Sequence, residues 1–127
     1  MHPMDTTVFV IEDDDGMRAA LEQVLRIAGF RVEAFASAEH CLASDLVASA
    51  DCIVCDIELP GDSGFVLLDR LIAGGSSVPA IVITAYDSPA ARGEAQRLHA
   101  AAYLVKPFEG GTLVHAVRDA TGLTTTA

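Results

Sequence analysis

The chain has 127 residues, 51% of them apolar and 20% charged, enough to close one core and too few for two. Its 18 Asp and Glu against 8 Lys and Arg give a formal charge of −10, which excludes a domain that grips nucleic acid or an anionic membrane through its own field. The opening MHPMDTT has no basic segment followed by an apolar one, and no run approaches the roughly 18 apolar residues of a spanning helix, so a soluble cytoplasmic protein is expected.

In chain order, TVFVI (7–11) is a continuous β-branched run, as strands covered on both faces read. Four carboxylates follow it, Glu12 to Asp15. Met17, Ala20, Leu21, Val24, Leu25 and Ala28 then keep a one-faced helical rhythm that Gly29 closes. RVEAF (31–35) alternates, which suits a strand toward an edge. Ser37 is placed to cap a helix burying Cys41, Leu42 and Leu46. CIVC (52–55) is the third strand, and a helix after Gly64 turns Phe65, Leu68 and Leu71 inward until GGSS breaks it. AIVI (80–83) is the fourth strand. Ser88-Pro89 opens an alanine-rich helix containing Gly93, AYLV (102–105) is the fifth strand, and Leu113, Ala116, Val117 and Ala120 mark the last helix. Such alternation predicts an α/β fold, a single doubly wound five-stranded parallel sheet with right-handed crossovers.

Cys52 and Cys55 invite a redox or zinc reading. Residues three apart in a strand face opposite sides of the sheet, however, and no paired ligands stand nearby, so they read as core fillers. His2 lies near the terminus, and His40, His99 and His115 fall on separate helices, as solvated surface histidines do.

Ligands of open parallel sheets bind outside the carboxyl ends of the strands. The first run stops at Glu12-Asp13, the third at Asp56, the fourth at Thr84 and the fifth at Lys106, while the second ends without a polar group. With the order 2-1-3-4-5, the polar ends belong to consecutive strands. Glu12, Asp13 and Asp56 would then converge into a hard-cation site of the kind Mg²⁺ prefers, with waters retained. Lys106 and Thr84 add the charged donor and the hydroxyl that a phosphoryl group requires.

With these residues assembled, the chain resembles a bacterial response-regulator receiver domain, and within that group the FixJ type. The resemblance runs from about Val8 to Ala120 and rests on Glu12-Asp13, on CDIELPGDSG with Asp56, Pro60 and Gly64, on ITAY with Thr84, and on YLVKPF with Lys106-Pro107. It implies a flavodoxin-like (βα)5 receiver domain over 1–122, with 123–127 as a tail or the start of a linker. It further implies a phosphorylation switch. Asp56 would be the nucleophile and modified residue, taking a phosphoryl group from a sensor histidine kinase. Mg²⁺ would be held by the side chains of Asp13 and Asp56 and the backbone carbonyl of Glu58, with Glu12 acting through water. Lys106 and Thr84 would complete the catalytic set, and Thr84, Tyr103 and a cis Lys106-Pro107 bond would form the switch. Readout would pass to the face of the fourth helix, fifth strand and fifth helix, controlling transcription. Such a chain is no stand-alone enzyme and catalyses only its own aspartyl phosphorylation and dephosphorylation. A C-terminal DNA-binding output domain outside this chain and a phosphorylation-dependent homodimer are expectations by resemblance.

Glu12 departs from the family's usual Asp, which adds a methylene to the metal side. Glu58 and Tyr86 stand two residues after Asp56 and Thr84, at variable positions, and a bulky Tyr86 is expected to shield the acyl phosphate. One rival is a phosphatase of the haloacid-dehalogenase type, which also uses a strand-end Asp, a second acid two residues on, a Thr and a Lys. That family puts its remaining metal carboxylates after the lysine, whereas here they precede the nucleophile. A second rival, a non-switching binding module, usually lacks the acceptor or the lysine, and both are present.

Overall fold

The computed structural model describes residues 5–44 and 46–123, so His2 and most of the expected tail lie outside the described residues. Each apolar run is a strand: β1 (Thr7–Ile11), β2 (Arg31–Phe35), β3 (Cys52–Asp56), β4 (Ala80–Thr84) and β5 (Ala102–Val105). All pair in parallel in the order β2-β1-β3-β4-β5, as expected. The helices are α1 (Asp15–Ile27), α2 (Ala38–Ala43), α3 (Gly64–Ala73), α4 (Pro89–Arg97) and α5 (Gly110–Thr121), with a short 3₁₀ turn at Val47–Ser49.

Capping chemistry fixes where the helices start. Asp14, Ser37, Ser63 and Ser88 each accept a hydrogen bond from the backbone N–H three residues on, which satisfies a donor that the first turn leaves orphaned. Gly29 follows the α1 C-cap at φ 101°, a conformation that an L side chain resists.

The period-two pleat of the strands divides the core into two layers. Val8, Val10 and Val54 pack with Leu21, Leu25, Leu113 and Val117 under α1 and α5, whereas Phe9, Ile11 and Ile53 pack with Cys41 and Leu67 under α2 and α3. Cys52 and Cys55 fall in different layers, both buried and free, as the strand geometry required. Burial pushes the Cys52 thiol up to about 12, so it stays protonated.

Several details differ from the sequence expectation. α2 ends at Ala43 and Ser44 is extended, so Leu46 leaves the helical projection and is exposed. Ala20 is exposed because α1 buries a narrower stripe at Leu21 and Leu25. β5 is only half-buried, having a neighbour on one side alone. α3 buries Leu67 with Leu68 and leaves Phe65 and Leu71 partly covered. His99 lies beyond the α4 C-cap at φ 57° and not on the helix. Among the described residues no helix is long and apolar enough to cross a membrane.

Candidate functional site at the carboxyl ends of the strands

The run Glu12 to Asp15 divides into separate tasks. Asp14 caps α1, its carboxylate 2.7 Å from the Met17 N–H, and Asp15 lies in the first turn 2.6 Å from Arg18. Both placements suit the positive end of the helix dipole. Arg18 also donates to the Glu12 carbonyl at 2.9 Å, which fixes the exit of β1. Glu12 and Asp13 remain for the sheet rim.

There the side chains of Glu12, Asp13 and Asp56 bring one oxygen each within 4.8 Å of one another. Glu12 and Asp56 are buried and Asp13 is exposed. This donor set fits a small hard dication: all ligands are carboxylate oxygens, and the exposed side leaves room for water. Lys106, directly after β5, places its ammonium 2.6 Å from Asp56 Oδ2 and 2.9 Å from Glu12 Oε2. Burial alone would lower the Lys106 pKa, but the hydrogen bonds to Asp56 and Glu12 together outweigh it and hold the group above the ordinary lysine range. Glu12 is pushed up to about 7, first by desolvation and then by the hydrogen bond it shares with Asp56. Of the three clustered carboxylates Lys106 thus meets two, Asp56 and Glu12.

β4 ends at Thr84, fully buried, and its hydroxyl donates to the Glu58 carboxylate, with Oε2 at 2.7 Å. The Ala85 N–H donates to Glu58 Oε1 at 2.8 Å, and the Glu58 N–H donates to Asp56 Oδ1 at 2.8 Å. The side chain of Glu58 is therefore turned to β4 and is not among the clustered carboxylates. Tyr86 donates its N–H to Thr84 Oγ1, but its ring is 75% exposed, so the expected shielding finds no support in its position. Tyr103 is half-buried, with its hydroxyl donating to Asp87 Oδ1 at 3.1 Å. The Lys106-Pro107 peptide is cis. Gly64 packs against the end of β3, where a Cβ would collide with the Asp56 carbonyl and the Cys55 sulfur.

Glu12, Asp13, Asp56, Glu58, Thr84, Lys106 and Pro107 thus lie at or just beyond the carboxyl ends of the strands, where the parallel topology carries them, whereas Tyr103 lies within β5. Sequence reasoning missed the use of the Glu58 carboxylate and of the Ala85 N–H, since neither leaves a pattern in the chain. It also missed Arg92 and Asp87, which hold Tyr103 from the start of α4.

A parallel five-stranded sheet with an acidic rim, a strand-end Asp and a facing Lys defines the receiver class of signalling domain. The chain belongs to the response regulator receiver domain family, whose model matches residues 8–118. Among named relatives it is similar to the transcriptional regulatory protein FixJ of Azorhizobium caulinodans, 37% identical over 94% of this chain and 57% of that protein. The C4-dicarboxylate transport transcriptional regulatory protein DctD of Rhizobium meliloti is 37% identical over 90% of this chain and 25% of its own length. The chain thus spans about half or less of these relatives. Of solved structures, FixJ-N superposes with a TM-score of 0.85 at 29% identity over the whole of both chains, and the response regulator StyR with 0.85 at 35% identity over 94% of this chain and 60% of its own.

Proposed function

We propose that this domain is a phosphorylation switch in which Asp56 is the acceptor. An Asp56 carboxylate oxygen attacks phosphorus while the bond from phosphorus to the donor breaks, its electron pair leaving on the histidine nitrogen of a sensor kinase or on the acetate of acetyl phosphate. The observation that carries this reading is the Lys106 ammonium bridging Asp56 and Glu12 beside the three clustered carboxylates. Lys106 neutralises charge on the transferring oxygens, and Thr84 supplies a hydroxyl donor once the acyl phosphate has formed.

Asp13 and Asp56, the backbone carbonyl of Glu58 and, through water, Glu12 would hold Mg²⁺, which when bound offsets the negative charge of the rim and of the incoming phosphoryl group. The product is a labile acyl phosphate on Asp56 itself, so the domain's chemistry is confined to its own phosphorylation and dephosphorylation. Tyr103 then follows Thr84 inward, and the face of α4, β5 and α5 changes its packing.

The similarity to FixJ and DctD supports a cytoplasmic domain of 1–122 with 123–127 as tail or linker start, a histidine kinase upstream, and a DNA-binding output or a dimer downstream. The test is intact-mass analysis after incubation with acetyl phosphate. A phosphoryl adduct that needs Mg²⁺ and is absent from Asp56→Asn is expected; no adduct on the wild type, or steady turnover of a generic phosphomonoester, would overturn the reading.

A further inference from the structure

Glu58 is an acid two residues beyond the acceptor whose carboxylate has no Lys or Arg partner among the ion pairs of the described residues. It is held by neutral donors instead: the Thr84 hydroxyl, at 2.7 and 2.9 Å from its two oxygens, and the Ala85 N–H at 2.8 Å. A hydroxyl has one proton and an amide one N–H, so an anion that holds both leaves neither for another acceptor. Thr84 Oγ1 also accepts from the Tyr86 N–H at 2.9 Å, and the Tyr86 carbonyl, at 3.2 Å, is the other acceptor within reach of its one proton. Glu58 also binds the acceptor directly, its own N–H lying 2.8 Å from Asp56 Oδ1. An anion cradle at the end of β4 is therefore filled by a carboxylate tethered to the segment that follows Asp56.

We propose that the Glu58 carboxylate is a resident stand-in for the phosphoryl group, a gate that must swing out of the Thr84–Ala85 cradle before the transfer to Asp56 is complete. This rests on the reading of Asp56 as acceptor. Two anions cannot share one pair of donors, and an incoming phosphoryl group also meets the Glu58 charge at short range. Displacement carries Glu58 into solvent and frees Thr84 for the new ligand. The gate thus sets how readily the domain is phosphorylated, and acts as a positioning group without taking part in the covalent step.

The test compares wild type, Glu58→Gln and Glu58→Ala in Mg²⁺ with acetyl phosphate, following the initial rate of adduct formation by intact mass. In each, Asp56 gains phosphorus as the P–O bond to acetate breaks and acetate leaves. Glu58→Ala is expected to label roughly five- to tenfold faster than wild type, and Glu58→Gln by an intermediate factor, because the amide keeps an acceptor oxygen but loses the charge. Independently, hydrogen exchange of the Ala85 amide in unphosphorylated protein should be slow in the wild type and faster in Glu58→Ala. Labelling of the alanine variant no faster than wild type, or Ala85 exchange that is the same in both, overturns the gate while leaving the acceptor reading intact. Absence of adduct from all three sinks the acceptor reading and the gate with it.

Discussion

Two groups of opposite charges flank β4 and β5 with nearly the same geometry. In one, Lys106 meets Asp56 and Glu12 at 2.6 and 2.9 Å; in the other, Arg92 meets Asp87 at 2.8 and 3.0 Å and lies 4.7 Å above the ring of Tyr103. The surroundings differ. The Glu12 and Asp56 side chains are 1% and 4% exposed, whereas Asp87 and Arg92 are 40% and 55% exposed. Distance alone therefore cannot rank them. Water screens the second group and lets its members exchange partners at little cost, while the first has no such substitute. A site that must hold charge in place belongs at the buried rim, and a contact that must open and close belongs on the surface.

The largest effect should follow from removing the buried cation. Lys106→Ala leaves two buried carboxylates facing each other, and breaking such a pair typically costs about 3 kcal/mol. A urea titration of metal-free protein should register a loss of that order, with added Mg²⁺ recovering part of it because a dication replaces the missing charge. Lys106→Met, which keeps the aliphatic stem, separates lost charge from lost packing. A loss within the range of a surface pair would break the contrast between the two groups.

That contrast also explains what the chain disclosed in advance. Strand identity and the polar ends were legible because apolar runs such as CIVC and AIVI are local and a parallel sheet sends all their carboxyl ends to one side, whereas the order 2-1-3-4-5 had to be supposed and came with the family resemblance. Given that order, Glu12, Asp13, Asp56, Thr84 and Lys106 assemble at one rim. The direction of a side chain is a different matter. Glu58 turns to β4 by hydrogen bonds with Thr84 and Ala85, far along the chain, and Leu46 is exposed because Ser44 breaks α2 one turn early. Asp87 and Arg92 likewise carry no signal in the chain, because their meeting with Tyr103 of β5 is made only in space. What escaped the sequence is what depends on a pairwise meeting in space.

A smaller effect belongs to Glu12. Its carboxyl is pushed up from the ordinary value to about 7, burial contributing most and the hydrogen bond with Asp56 next. A raised acid pKa means that the folded protein keeps a proton the unfolded chain has already released between about pH 4.5 and 7. The folded state binds more protons there, so stability falls as pH rises through that window. Metal-free protein should thus lose about 1 to 3 kcal/mol between pH 5 and pH 8, and Glu12→Gln, which cannot ionise, should show a flatter profile. An unchanged slope in the variant would assign the dependence to another group.

The smallest change in stability should come from the exposed group, and that is its value as a switch. The Arg92 hydrogen bond, ahead of other causes, holds the Asp87 carboxyl below the usual range, while burial and then the bond to Asp87 raise the Tyr103 phenol. Arg92→Ala removes a screened ion pair and a cation–π contact on the surface, so the urea midpoint should hardly move. The position of Tyr103 should respond far more strongly. With Arg92 gone, nothing charged holds the face of the ring, and Asp87, freed of its partner, can turn to water. Carbon-13 labelled tyrosine should therefore show the Tyr103 ring signals shifted and exchange-broadened in unphosphorylated Arg92→Ala, with Tyr86, already in solvent, unchanged. If the stability loss instead matched that of Lys106→Ala while the ring signals stayed in place, the surface group would be a structural clamp, and solvent exposure would no longer distinguish the two clusters.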